Sequence, residues 1–123
     1  MGRYILAEDY ARALTGRRVL TREVNQALEG VDGLLLPSLA VPATKLGATT
    51  VRVGAVEEPV RSITLRLTQL FNLTGHPALT MPCGQTREGF PVGAQLVGPA
   101  GETRTLLQLA RSLEPYLRPG ASR

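Results

Sequence analysis

Apolar residues recur at helical spacing from residue 7 to residue 29. Tyr10, Leu14, Leu20, Val24 and Leu28 form the stripe, with Ala13 and Ala27 beside them. The spacing predicts a helix. Glu8 and Asp9 fall in its first turn, where negative charge meets the positive end of the helix dipole, and Gly30 supplies a stop. Gly16 lies inside the pattern and is either tolerated or splits the helix. The helical period then disappears. Leu34, Leu35 and Leu36 follow one another without polar alternation, which predicts a short strand buried on both faces. Pro37 should end it, because proline cannot donate to a sheet ladder. From Ser38 to about Glu58 the pattern is irregular and holds Pro42, Gly47 and Gly54. Loops of that length in compact domains are functional or mobile. Val51 and Val53 around Arg52 allow one short strand within it.

Periodicity returns at Pro59, a residue suited to the first position of a helix. Val60, Ile63, Leu67, Leu70 and Phe71 make one stripe, and Gly75 fits the C-terminal cap. His76-Pro77 blocks continuation. Residues 78–83 and 92–97 then read as two strands around a turn, with Gly89 as its positive-φ residue. In the second strand Val92, Ala94 and Leu96 share one face, and Gly93, Gln95 and Val97 the other. A glycine inside a strand implies that a neighbour comes close to the backbone at Gly93. A third helix over 102–114 carries Leu106, Leu109, Ala110 and Leu113, and Pro115 should end it. The expectation is an α/β domain of about three helices and three strands over residues 1–117, with a disordered polar tail over 118–123.

Composition narrows the class. The 123 residues suit one domain, with 43% hydrophobic and 20% charged residues. No run of about 18 apolar residues offers a membrane span. The net charge of +4 is scattered, and thirteen of the 14 basic residues are arginines, leaving Lys45 as the one lysine. Arg17, Arg18 and Arg22 read as a solvated helix face. Without a basic patch, and with five aromatic residues, the chain does not suit nucleic-acid binding. One cysteine and one histidine exclude a disulfide framework and a cysteine-paired or histidine-rich metal site. The lone Cys83, and the lack of a signal-peptide pattern, point to a reducing cytoplasm.

Searches for nucleophile elbows, phosphate loops and dinucleotide or zinc motifs find nothing. Cys83 among strand residues reads as a small buried hydrophobe. His76 reads as a structural turn or an exposed residue, and Lys45 as a solvated charge. Ser38, just past a strand end, sits where α/β sheets often line a ligand crevice, although a turn or cap role is the stronger reading.

Five segments in order carry more information. They are Ala7-Glu8-Asp9-Tyr10-Ala11-Arg12-Ala13, Asp32-Gly33-Leu34-Leu35-Leu36-Pro37-Ser38, the run from Phe71-Asn72-Leu73-Thr74-Gly75-His76-Pro77 through Ala78-Leu79-Thr80-Met81-Pro82-Cys83-Gly84, Gly89-Phe90-Pro91-Val92-Gly93-Ala94-Gln95-Leu96-Val97-Gly98, and Glu102 with Leu106-Leu107. Together they resemble the C-terminal portion of the amidase signature family, over roughly residues 4–115. The resemblance implies a carbon–nitrogen amide hydrolase that uses a serine nucleophile, a bridging cis serine and a lysine base. Those three belong to a Gly/Ser-rich stretch and a lysine upstream of the matched region. The four serines here (Ser38, Ser62, Ser112 and Ser122) are isolated, and Lys45 does not match the family's lysine. No catalytic residue therefore carries over.

What the resemblance does imply is a C-terminal third that closes the family's central mixed sheet, flanked by helices, and needs the missing N-terminal part of the domain, or self-association, to cover it. Pro37, Ser38, Asn72, Thr74 and Gly75 are expected toward the substrate channel, with backbone turns and caps as their competing role. Ser38 stands where the family usually has threonine. No cofactor, metal, nucleic-acid or membrane partner is implied. The alternatives are a noncatalytic protein that binds a partner, or a piece of the A subunit of a tRNA-dependent amidotransferase.

Overall fold

The computed structural model describes residues 4–117. The tail over 118–123, expected to be disordered, lies outside the described residues. Helix α1 spans Ala7–Ala27 and is followed by β1, Leu34–Pro37. A hairpin of β2, Thr50–Val53, and β3, Val56–Pro59, precedes two short helices, α2 at Val60–Leu65 and α3 at Gln69–Thr74. Strands β4, Ala78–Gln85, and β5, Pro91–Val97, lead to α4, Thr103–Leu117.

Strand β5 sits at the centre of an antiparallel three-stranded sheet in the order β1-β5-β4. Leu36 and Thr80 both pair with Gln95, and Leu35 and Leu79 both pair with Leu96. The period of a strand sends alternate residues to opposite faces, and β5 uses both. Val97 joins Val24, Leu28 and Phe71 from α1 and α3, with Leu34, Leu36 and Leu70 packed around them. Leu96 joins Met81 and, from α4, Leu106 and Ala110 on the other face. The sheet therefore lies between α1/α3 and α4, and its middle strand holds the core.

Three expectations change. Part of the irregular 38–58 stretch folds as the β2–β3 hairpin, and Pro59 closes β3 and caps α2 from outside rather than occupying its first turn. The expected single helix from 59 to 75 is broken over residues 66–68, so the described chain has four helices. At the break the carbonyl of Leu67 accepts a 3.0 Å hydrogen bond from Nε2 of the buried Gln95. Helix α4 runs past Pro115 to Leu117. Proline there removes one ladder bond in the last turn, while Leu113 and Leu117 gain packing against the Leu96 cluster. Within these residues β1 is covered on one face only, which leaves open the surface expected to need further cover. Leu34 and Leu36 pack against the α1/α3 side, but Leu35 is 52% exposed at the sheet edge.

Gly16 stays inside an unbroken α1. Gly75 ends α3 with φ 80° and ψ 17°, its N–H bonded to the Phe71 carbonyl at 2.9 Å, as a left-handed cap requires. Gly89 has φ 85° in the β4–β5 turn.

Candidate functional site

The chain leaves β1 at Pro37, and the Ser38 N–H still continues the ladder to the Gly93 carbonyl at 2.9 Å. That bond fixes the Ser38 side chain, which is buried, and its Oγ donates to Oγ1 of Thr80 at 3.1 Å. The two hydroxyls come from the two outer strands of the sheet and meet over the glycine of the middle one. A side chain on Gly93 would not fit: its Cβ would lie 2.8 Å from Thr80 Cγ2 and 3.0 Å from Ser38 Oγ. The close approach expected at Gly93 is thus made by two side chains.

Beside this pair opens a cleft of about 550 Å³, lined by residues 39–43, by Pro82, Pro91 and Val92, and by Ser38, Thr80 and Gly93. None of these lining residues is charged. The volume is in the range of small-molecule sites, and the chemistry of the lining, mostly apolar with two polar groups, is of the same kind. Lys45 does not line the cleft; it is exposed in an adjoining depression that shares residues 41–43 with the cleft and also holds Arg52. Cys83 is partly buried in β4 at the irregularity between Pro82 and Gly84.

A second depression, of about 680 Å³, runs along α1 and is lined in part by Arg17, Arg18, Arg22, Asn25 and Thr74. The arginines are exposed, as a solvated face requires. Beneath it, His76 is buried and holds α1 to the end of α3. Its Nδ1 lies 2.8 Å from Thr74 Oγ1, and its Nε2 lies 2.9 Å from Asn25 Oδ1. One neutral tautomer satisfies both contacts: the Thr74 hydroxyl donates to Nδ1, and Nε2–H donates to Asn25. Burial lowers the His76 pKa from its usual value, by desolvation of the charged ring. The expectation of a structural turn is met by a buried hydrogen-bonding role, not by an exposed ring.

The five expected channel residues fall into two groups. Ser38 lines the uncharged cleft, while Pro37 ends β1 and is exposed. Thr74 and Gly75 lie at the end of α3 beside the arginine depression, and Asn72 is exposed on that helix. Thr80 is a site residue that sequence reasoning misses. The period-two pattern of β4 places it opposite Gln95, but nothing local pairs it with a residue 42 positions earlier.

Three comparisons bear on this site. A family model described as Amidase matches residues 1–107. The chain is 38% identical over 106 residues to the A subunit of glutamyl-tRNA(Gln) amidotransferase of Myxococcus xanthus (strain DK1622), covering 85% of this chain and 21% of that protein. It is 32% identical to the fatty acid amide hydrolase of Oryza sativa subsp. indica, over 86% of this chain and 17% of that protein. A crystal structure of an amidase superposes with a TM-score of 0.83 at 39% identity, covering 95% of this chain and 27% of the other. The chain thus spans about a fifth of the length of these curated relatives, and it matches a C-terminal portion of them.

Proposed function

Because the chain belongs to the amidase family, we propose that it forms the C-terminal portion of an amide hydrolase whose acyl-transfer residues lie outside these 123 residues. The observation that carries the reading is the match to an amidase structure, at 39% identity and TM-score 0.83 over 95% of the chain. Residues 4–117 act as one partial domain in this reading. Its role is to close one side of a larger sheet and to give the substrate channel one wall, the cleft at Ser38 and Thr80. Pro37 shapes the entry to that wall. Asn72, Thr74 and Gly75 belong to the end of α3, beside the arginine-lined depression along α1 and apart from that wall. The chemistry needs an activated serine with an adjacent base. Ser38 has only Thr80 for a side-chain hydrogen-bond partner, and a threonine hydroxyl cannot take its proton at neutral pH.

The partner in this reading is the N-terminal part of an amidase domain, which would cover the exposed face of β1. A free Cys83 suits the reducing cytoplasm. No helix among the described residues is long and apolar enough to cross a membrane.

A second reading, a portion of an amidotransferase A subunit, is favoured by the 38% identity to the Myxococcus xanthus protein. One experiment separates these. The purified chain is treated with a serine-directed covalent probe, alone and after co-production with an amidase N-terminal portion carrying the serine pair and lysine. The chain alone should remain unlabelled, and the assembly should label and release ammonia from simple carboxamides. Labelling of the chain alone that is lost in Ser38→Ala would overturn the proposal. Amidation of glutamyl-tRNA by the assembly when ATP is supplied to activate the glutamyl carboxylate, with no hydrolysis of simple carboxamides, would favour the second reading.

A further inference from the structure

The lining of the Ser38 cleft limits what it can hold. Residues 39–43 contribute Leu, Ala, Val, Pro and Ala, and the opposite strands contribute Pro82, Pro91 and Val92. An ionised group placed there would lose hydration without meeting an opposite charge in the lining, which is costly. Lys45 and Arg52, in the depression that adjoins across residues 41–43, are exposed, and water screens them. An apolar group would be favoured in proportion to the area it buries. Three of the lining residues are prolines, so much of the wall is set before a ligand arrives and little ordering cost is added on binding.

The polar content of the cleft is equally restrictive. Ser38 and Thr80 share one hydrogen bond, which uses one of their two hydroxyl protons. The other proton is left to donate. Thr80 is exposed, so that donor is accessible from the cleft. Gly93 is fixed as glycine by the same two side chains, which keeps the hydroxyl pair close to the strand backbone.

Resting on the amide-hydrolase reading, we infer that this cleft takes the uncharged, apolar portion of a small carboxamide, with one hydrogen-bond acceptor at the Ser38–Thr80 pair, and discriminates against carboxylate-bearing amides. The three arginines of the α1 depression line a different surface and take no part.

The test reads binding rather than turnover, so it does not depend on the chemistry proposed above. Saturation-transfer NMR is recorded on the full 123-residue chain with hexanamide, and separately with succinamate, an amide of similar length that carries a carboxylate. The method works whether the chain is monomeric or associated. Hexanamide should receive saturation, and succinamate at least tenfold less. Ala43→Asp, at an exposed lining position, should abolish the hexanamide signal while leaving the circular-dichroism melt unchanged. Thr80→Val should weaken it a few-fold. Arg22→Ala should leave it unaltered. Equal transfer to succinamate, no transfer to either amide, or a hexanamide signal that survives Ala43→Asp would overturn the inference. If the covalent-probe assembly hydrolyses amides and hexanamide still fails to bind here, the site inference falls while the amide-hydrolase reading stands.

Discussion

The side-chain amide of Gln95 donates a 3.0 Å hydrogen bond to the main-chain carbonyl of Leu67, across 28 positions of sequence. Gln95 is 3% exposed and sits in the central strand, where a polar side chain needs a partner. The carbonyl it finds is one that an unbroken helix from 60 to 74 would have used internally. The break between α2 and α3 thus turns this carbonyl toward the buried Gln95. Gln95→Leu keeps the volume but leaves the Leu67 carbonyl unpaired, at a cost of about 1–3 kcal/mol. Urea unfolding should show that loss in midpoint. An unchanged midpoint would mean that water or another donor reaches the carbonyl.

Gly93 and Gly16 should respond oppositely to alanine. A Cβ at Gly93 would meet Thr80 and Ser38 at 3.0 Å or closer, so Gly93→Ala should destabilise by about 1–3 kcal/mol. Gly16 lies within α1 with nothing inside 4 Å of where an alanine Cβ would sit, so Gly16→Ala should stabilise by about 0.5–1 kcal/mol. Thermal melts of the two variants in one buffer check both signs. Two shifts in the same direction would contradict the geometry at one of the sites.

At Gly75 the constraint is conformational. The nearest atom to an added Cβ is 3.9 Å away, on Arg17, so space is not limiting. The backbone is left-handed, and a β-branched residue resists that region. Gly75→Val should cost more than about 1 kcal/mol, and Gly75→Asn distinctly less, because asparagine tolerates the left-handed region. Equal effects in equilibrium unfolding would show that side-chain bulk, not φ, sets the cost.

These glycines show why part of the fold was legible in the sequence. A helix stop before His76-Pro77 and a glycine inside a strand each state a local backbone requirement, and the structure meets both. The two core faces of β5 followed from its alternation. What escaped the sequence was decided by distant partners. The Leu67 carbonyl at the α2–α3 break meets Gln95, the burial of His76 needs Asn25 from 51 positions earlier, and the Ser38–Thr80 pair needs β5 between them. On β1 the run of leucines reports a preference for burial on both faces and not which neighbours are present: within these residues Leu34 and Leu36 are covered and Leu35 is left open.

His76 gives the fold a pH dependence of defined sign. Its folded pKa is lowered below the usual 6.5 by desolvation, while the unfolded ring titrates normally. Below the unfolded pKa the unfolded chain binds the extra proton, so stability falls as pH drops through that value and keeps falling until the folded ring also protonates. The slope from one such group is at most about 1.4 kcal/mol per pH unit. Chemical unfolding from about pH 7.5 to about pH 5, a window that brackets the normal histidine pKa, should show the decline. His76→Gln, which can still bond to Asn25, should flatten it. A decline of the same slope in the variant would assign it to other groups.

Leu35 leaves an apolar side chain open at the edge of the sheet. It is 52% exposed, in a strand whose outer edge has no pairing strand among the described residues. Pro37 and Val92 lie on the same side of the sheet by the alternation of β1 and β5, and Val92 is 37% exposed. Helix α4 covers this side over Met81 and Leu96 but leaves Leu35 open. An apolar patch next to an open strand edge favours association, since burying the patch removes apolar area from water and the edge supplies backbone hydrogen bonds. The chain should therefore self-associate with rising concentration in light scattering and bind a hydrophobic dye. Leu35→Lys places a charge on that edge and should lower both signals, with no loss of folded structure because the residue buries little within the chain. An amidase N-terminal portion should compete with both signals if it covers the same face. A monomer at every concentration, with no dye binding, would mean that the described residues close their own surface and that Leu35 is an ordinary exposed leucine.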